Sequence, residues 1–200
     1  FFVKKGETLA IVGESGCGKS VLCRSIMKLL PKTARIKSGS VLLDGKEITG
    51  LTEKEMQKLR GNSFSMVFQD PMTTLNPAMT VGAQIAEAVI IHRPEFSREE
   101  VRCRVWELME LVGIDHPKER AAQYPWNFSG GMRQRSVLAI ALASEPAVLL
   151  ADEPTTALDV TIKAQLLALF RYIKRKLGTA IVLVSHAHGV VAPDAYRVAC

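Results

Sequence analysis

The chain has 200 residues, 48% of them hydrophobic and 23% charged, with a formal net charge of +6. That size and balance fit one soluble globular domain, or a domain with a small subdomain, that buries most of its apolar surface without staples. The longest apolar runs, such as Ala180–Val184, fall far short of the roughly 20 residues that cross a bilayer, which excludes a helical membrane span. No basic, apolar, small-residue leader opens the chain, so the expectation is a cytosolic protein that meets any membrane through a partner. The four cysteines, Cys17, Cys23, Cys103 and Cys200, show neither metal spacing nor a disulfide framework and are expected as reduced thiols. The densest basic run, Arg171–Gly178, fits a solvated helix face ending in a glycine cap, and without interleaved aromatics nucleic acid is not an expected partner.

In chain order, Thr8–Val12 is a short β-branched run that stops at the loop Gly13–Ser20, "GESGCGKS", and a helical run follows over Val21–Leu30. Ser40–Ile48, with Asp44-Gly45 at its centre, predicts an antiparallel hairpin. Thr52-Glu53-Lys54-Glu55 is a capping box opening a short helix. A second strand, Ser65–Phe68, runs into Gln69 and Asp70. From about Met79 to Tyr124 there is no strand pattern, which predicts an inserted helical subdomain whose longer helix opens at the Ser97–Glu100 capping box. Ser129-Gly130-Gly131 then precedes a helix over Met132–Ala143. A third strand, Val148–Ala151, ends at Asp152-Glu153. Asp159 is placed to cap an amphipathic helix reaching Leu177, and a fourth strand, Ala180–Val184, ends at Ser185-His186. No internal repeat is visible.

Four strands too short to be helices and apolar throughout imply a buried, mainly parallel sheet. The fold class is therefore α/β, with a small antiparallel part and the helical insertion. We expect one domain over 1–200, with a core of about 1–78 and 145–200 and a helical subdomain of about 79–144. Because open α/β sheets bind ligands beyond the carboxyl ends of their strands, the four strand endings are expected to converge on one site.

Gly13, Glu14, Ser15, Gly16, Cys17, Gly18, Lys19 and Ser20 fit G-x-x-x-x-G-K-[ST] between a strand and a helix, the context a phosphate-binding loop requires. The glycines let backbone N–H groups curl round phosphate oxygens, and the helix start, including Val21, adds its dipole. Lys19 would reach the β- and γ-phosphates and Ser20 the Mg²⁺. Cys17 is best taken as a small filler. Asp152, the acid after a buried strand, suits the second Mg²⁺ position, and Glu153, on the other side of an extended chain, suits a general base toward water. The alternative for Glu153 is a capping or surface acid. Gln69 would touch Mg²⁺ and the water, or simply end its strand. His186 would donate to the γ-phosphate; His92, His116 and His188 carry no such positional argument. The second turn, Ser129-Gly130-Gly131, offers another helix start with bare glycines, where something outside can approach the backbone. We expect it to meet a triphosphate held by another copy's Gly13–Ser20 loop.

"GESGCGKS", "VFQDP", "FSGGMRQR", "LLADEP", "TALD" and the strand-end His186 together resemble the ATP-binding cassette (ABC) ATPases over essentially the whole chain. The resemblance implies a P-loop ATPase using ATP and Mg²⁺, paired with a second cassette, identical or related, under transmembrane permease subunits. It implies a peripheral place on the cytoplasmic face of the inner membrane, with an extracytoplasmic solute-binding protein as an indirect partner. Asp159, in Ala157-Leu158-Asp159, matches a loop that touches the opposite subunit. Phe68–Val89, "YPWNFSGGMRQR" and "ADEPTTALDVTIKAQ" resemble the oligopeptide/dipeptide/nickel branch of bacterial importers, where Met132 is usual.

Three departures stand out: Ala187-His188 where the branch has Asp-Leu, no adenine-stacking aromatic before Phe1, and no strands beyond Arg197. The chain is thus expected to be truncated at both ends. A cassette importer for a different small solute is an alternative. A non-transport cassette acting on nucleic acid would carry a long coiled coil, and a ribosome-associated one two cassettes. A P-loop kinase leaves "FSGGMRQR" without a purpose, and a non-hydrolytic module leaves Asp152-Glu153 without one.

Overall fold

The computed structural model describes residues 1–68, 71–154, 160–186 and 197–199. In chain order these residues form β1 (Thr8–Val12), α1 (Lys19–Ile26), β2 (Leu42–Leu43), β3 (Lys46–Glu47), α2 (Glu53–Leu59), β4 (Phe64–Val67) and α3 (Pro71–Thr74). Then come α4 (Val81–His92), α5 (Arg98–Leu111), α6 (Pro117–Arg120), α7 (Gly130–Ala141), β5 (Val148–Asp152), α8 (Val160–Leu177), β6 (Ala180–Ser185) and β7 (Arg197–Ala199). Asp70, His188 and most of the divergent tail lie outside the described residues.

β4-β5-β6-β1-β7 make one sheet in that order, every pairing parallel, and β2-β3 a separate antiparallel hairpin. The four expected strands are present within a residue or so at each end. The fifth, β7, corrects the expectation of no strand beyond Arg197: three residues, Arg-Val-Ala, carry no apolar run, and their pairing to β1 defines them as a strand.

Side chains alternate across the sheet as a period of two demands. Ala10, Val12, Leu149, Ala151, Ile181 and Leu183 face a core shared with Val81, Ile85, Val105, Leu108, Leu138 and Phe170 of the helices. Ile11, Met66, Leu150, Val182 and Val184 face a smaller core closed by Cys23, Met27, Ile48 and Met56. Both faces are covered, which is why these strands are apolar throughout rather than alternating.

The predicted caps form. Thr52 Oγ1 accepts from Glu55 N–H while Glu55 Oε2 accepts from Thr52 N–H, and Ser97 with Glu100 does the same for α5. α1 stops earlier than the expected Leu30. Lys28 turns left-handed (φ 50°), Leu29 N–H bonds Arg24 O and Lys28 N–H bonds Ser25 O, the paired bonds of a Schellman stop. Two cations then hold that end. Arg60 donates to Met27 O (2.8 Å) and Lys28 O (3.1 Å) while pairing with Glu53, and Lys28 Nζ donates to Thr49 O and Leu51 O. Positive charge at a helix C-terminus opposes its dipole favourably. The opposite end of α1 lies at the strand endings, where Ser20 Oγ bonds Asp152.

Candidate phosphate-binding site

Register brings the site together. Val12 pairs with Ser185 and Asp152 with Val184, so Gly13, Glu153 and His186 all emerge at one edge of the sheet. From Gly13 the chain loops through Gly16 (φ 82°) and Gly18 (φ 98°), left-handed positions that favour glycine, and enters α1 with no side-chain cap on its first N–H groups. Glu14, Ser15, Gly16, Cys17, Gly18 and Val21 are exposed along this rim.

Lys19 is buried, and its Nζ donates to Gly13 O and Glu14 O, both at 2.7 Å. The same Nζ lies 3.2 Å from His186 Nδ1 and 3.7 Å from Cys17 Sγ. On its other side, His186 Nε2 pairs with Glu153 Oε1. His186 Nδ1 also lies 3.3 Å from Gly13 O, so it either accepts from the Lys19 ammonium or donates to that carbonyl, while Nε2 faces the Glu153 carboxylate. His186 is a bridge between the loop cation and the buried acid, a contact between residues 167 positions apart that no local pattern announces.

Asp152 and Glu153 are both buried. Ser20 Oγ donates to Asp152 Oδ1 at 2.8 Å. The expected separation of the two acids across an extended chain is not how they part. Glu153 has φ 49°, its N–H bonds Val184 O at 3.2 Å, and the backbone turns left-handed as the strand ends. A non-glycine residue there is uncommon and costs on the order of 1–3 kcal/mol, held where surrounding structure fixes it.

Burial pushes the Asp152 carboxyl above its ordinary value of 3.8, partly offset by the Ser20 hydrogen bond, with the neighbouring Glu153 charge raising it further. Between 3.8 and that raised value the folded chain holds a proton that the unfolded chain releases. That stabilisation is present below 3.8 and is lost as pH rises through the raised folded value. Asp152→Asn is expected to melt higher than the parent at neutral pH, the difference closing in acid, measured as Tm against pH. A variant that melts lower by the same amount at every pH would contradict this. Cys23, on the buried face of α1, is pushed up to about 12 by burial and then by the Asp152 charge, so its thiol stays protonated and takes no part.

For Mg²⁺ the donor set fits. Ser20 and Asp152 are hard oxygen ligands already in mutual reach, and no cluster of three or more His, Cys, Asp or Glu exists among the described residues. Few protein ligands plus substrate phosphates is how this ion is usually held. Gln69 and Asp159, assigned to the metal and the opposite subunit, lie outside the described residues.

The second turn stands apart. Ser129 caps α7, its Oγ accepting from Met132 N–H at 3.3 Å, and its carbonyl accepts from Arg133 N–H. α7 starts at Gly130, two residues before the expected Met132. A Cβ at Gly130 would meet nothing within 4 Å, and one at Gly131 only Ile162 of α8 at 3.4 Å. Neither glycine has a positive φ. Neither room nor backbone conformation inside the chain requires them, although each glycine weakens a helix by roughly 1 kcal/mol relative to alanine. Among the described residues no hydrogen bond joins this turn to residues 13–20.

The parallel sheet, the glycine loop and the Ser20–Asp152 pair define a P-loop α/β protein. The family model described as "ABC transporter" matches residues 1–156. The dipeptide transport ATP-binding protein DppD and the oligopeptide transport ATP-binding protein OppD of Bacillus subtilis (strain 168) are each 54% identical over 200 residues. The alignment covers 100% of this chain but 59% of DppD and 56% of OppD, so the chain spans under two thirds of these relatives. Among solved structures, the dimeric post-hydrolysis state of the cassette MJ0796 bound to ADP and Pi superposes with a TM-score of 0.81 at 31% identity. That match covers 95% of this chain and 79% of that one. The cbiO1 structure from Clostridium perfringens, part of the complex cbiONQ, gives a TM-score of 0.83 at 28% identity, covering 98% and 73%. The chain belongs to the ABC transporter family.

Proposed function

We propose that this chain supplies the ATP-binding and ATP-hydrolysing part of an importer for oligopeptides or dipeptides, on the cytoplasmic face of the membrane. The cargo reading is supported by the dipeptide and oligopeptide transport roles of the two Bacillus relatives. The partners are a second cassette, identical or related, and permease subunits, with a solute-binding protein acting from outside. Residues of about 79–144 form the helical subdomain that meets the permease, set into a core of about 1–78 and 145–200.

In this reading the Gly13–Ser20 amides and Lys19 hold the triphosphate, Lys19 giving up its carbonyl partners for phosphate oxygens. Ser20 and Asp152, with Gln69, hold Mg²⁺, which when bound neutralises charge on the β- and γ-phosphates. Glu153 takes the proton of the attacking water, fixed by its left-handed turn and by His186. His186 exchanges its Lys19 contact for the γ-phosphate, so that one ring touches both the scissile group and the base. Asp159 faces the neighbouring cassette. The remaining donors to the γ-phosphate come from the Ser129–Gly131 turn of that neighbour, at a helix start whose free N–H groups and dipole suit an anion.

The observation that carries the proposal is the glycine pair with no cause inside its own chain. Its test is Ser129→Arg in the full-length protein with its membrane partner. ATP binding by the single subunit should persist by calorimetry while steady-state phosphate release stops. Normal turnover would leave the second turn a structural feature.

A further inference from the structure

We propose that Tyr124 and Trp126 form a stacking platform for the adenine of the ATP held by the neighbouring cassette; the proposal rests on the trans arrangement above. The two rings lie 4.4 Å apart, centroid to centroid, and within 5° of parallel. They nevertheless remain open, Trp126 58% and Tyr124 37% exposed. The other tryptophan, Trp106, is flanked by the charges of Arg102 at 5.4 Å and Lys118 at 5.0 Å. No such cation covers Trp126 among the described residues.

The pair is rigidly presented. Asn127 Oδ1 accepts from Tyr124 N–H, Asn127 N–H bonds Tyr124 O, and Phe128 N–H bonds Pro125 O. Pro125 and Phe128 are buried, so the segment is anchored by those two side chains while the rings face out. Arg133, in the first turns of α7, donates Nε–H to Pro125 O at 2.8 Å, which ties the platform to the helix that carries Gly130 and Gly131. Two residues separate Trp126 from Ser129, a reach of at most about 11 Å over three Cα–Cα steps. The rings are therefore within reach of the base of a triphosphate that ends at Ser129. Two aromatics already stacked lose little freedom on accepting a third ring, and any nucleobase offers a π-face. The rival occupant is an apolar segment of the permease. Continuity with the Ser129–Gly131 turn favours the base.

The test uses the full-length protein in its membrane complex, with ATP and inorganic tripolyphosphate as probes. Trp126→Ala should raise KM for ATP about tenfold with kcat little changed. Inhibition by tripolyphosphate, which has no base, should be unaltered, and Trp126→Phe should restore KM. In a Ser129→Arg background, where trans closure is blocked, Trp126→Ala should leave subunit ATP affinity as it was. Equal weakening toward ATP and tripolyphosphate would mean a change in the shape of the turn and would overturn the platform. An unchanged KM with loss of permease co-purification would overturn it in favour of a membrane-partner contact. Those failures leave the trans arrangement standing, whereas normal turnover by Ser129→Arg alone brings down both.

Discussion

Replacing Glu153 by glutamine in the full-length protein is expected to abolish turnover, keep ATP binding and accumulate an ATP-bound cassette pair. The side chain is buried, turned left-handed and joined to His186, so its geometry is fixed and only its basicity is removed. Loss of a positioned general base costs about 10²–10⁴ in rate. Glutamine still hydrogen-bonds to His186, and removal of the Glu153 charge lets the Asp152 carboxyl fall toward its ordinary value, favouring the ionised form that Mg²⁺ needs. Binding and hydrolysis should therefore separate. Phosphate release measures the loss and light scattering the pairing; a variant that hydrolyses ATP normally would remove Glu153 from its role.

Lys19→Ala is expected to act one step earlier, on binding itself. The ammonium is the cation at the centre of the loop, bonded to Gly13 O and Glu14 O and next to His186. A hydrogen bond to a charged group is worth about 1.5–3 kcal/mol, so affinity for ATP-Mg²⁺ should fall roughly ten- to hundredfold by calorimetry. Arginine is not expected to rescue it. A planar five-donor fork does not fit where a compact ammonium meets two carbonyls. Unchanged affinity in a correctly folded variant would contradict the assignment.

Much of this was legible along the chain because it is local. The strand Thr8–Val12 ending in "GESGCGKS", the Asp152-Glu153 pair after an apolar run, and the Thr52 and Ser97 capping boxes each state their structure within a few residues. What was not legible depends on distant partners. β7 is a strand only because β1 offers it an edge. The early stop of α1 is tied to Arg60, 33 positions from the Met27 carbonyl it bonds. The left-handed turn at Glu153 and the Lys19–His186 contact arise from register across three strands, which no single segment encodes. The Tyr124–Trp126 stack had a local trace, two aromatics flanking a proline just before Ser129. Stacking and exposure are settled only by the fold.

That the two glycine turns of one chain serve different ATP molecules is tested most directly by a structure of the assembled full-length complex carrying Glu153→Gln with ATP-Mg²⁺. The predicted result is a γ-phosphate gripped by Lys19 of one cassette and by the serine–glycine turn of its neighbour, with Ser129 of the first facing the other nucleotide. Lys19 and Ser129 of the same chain closed around a single ATP would contradict the account.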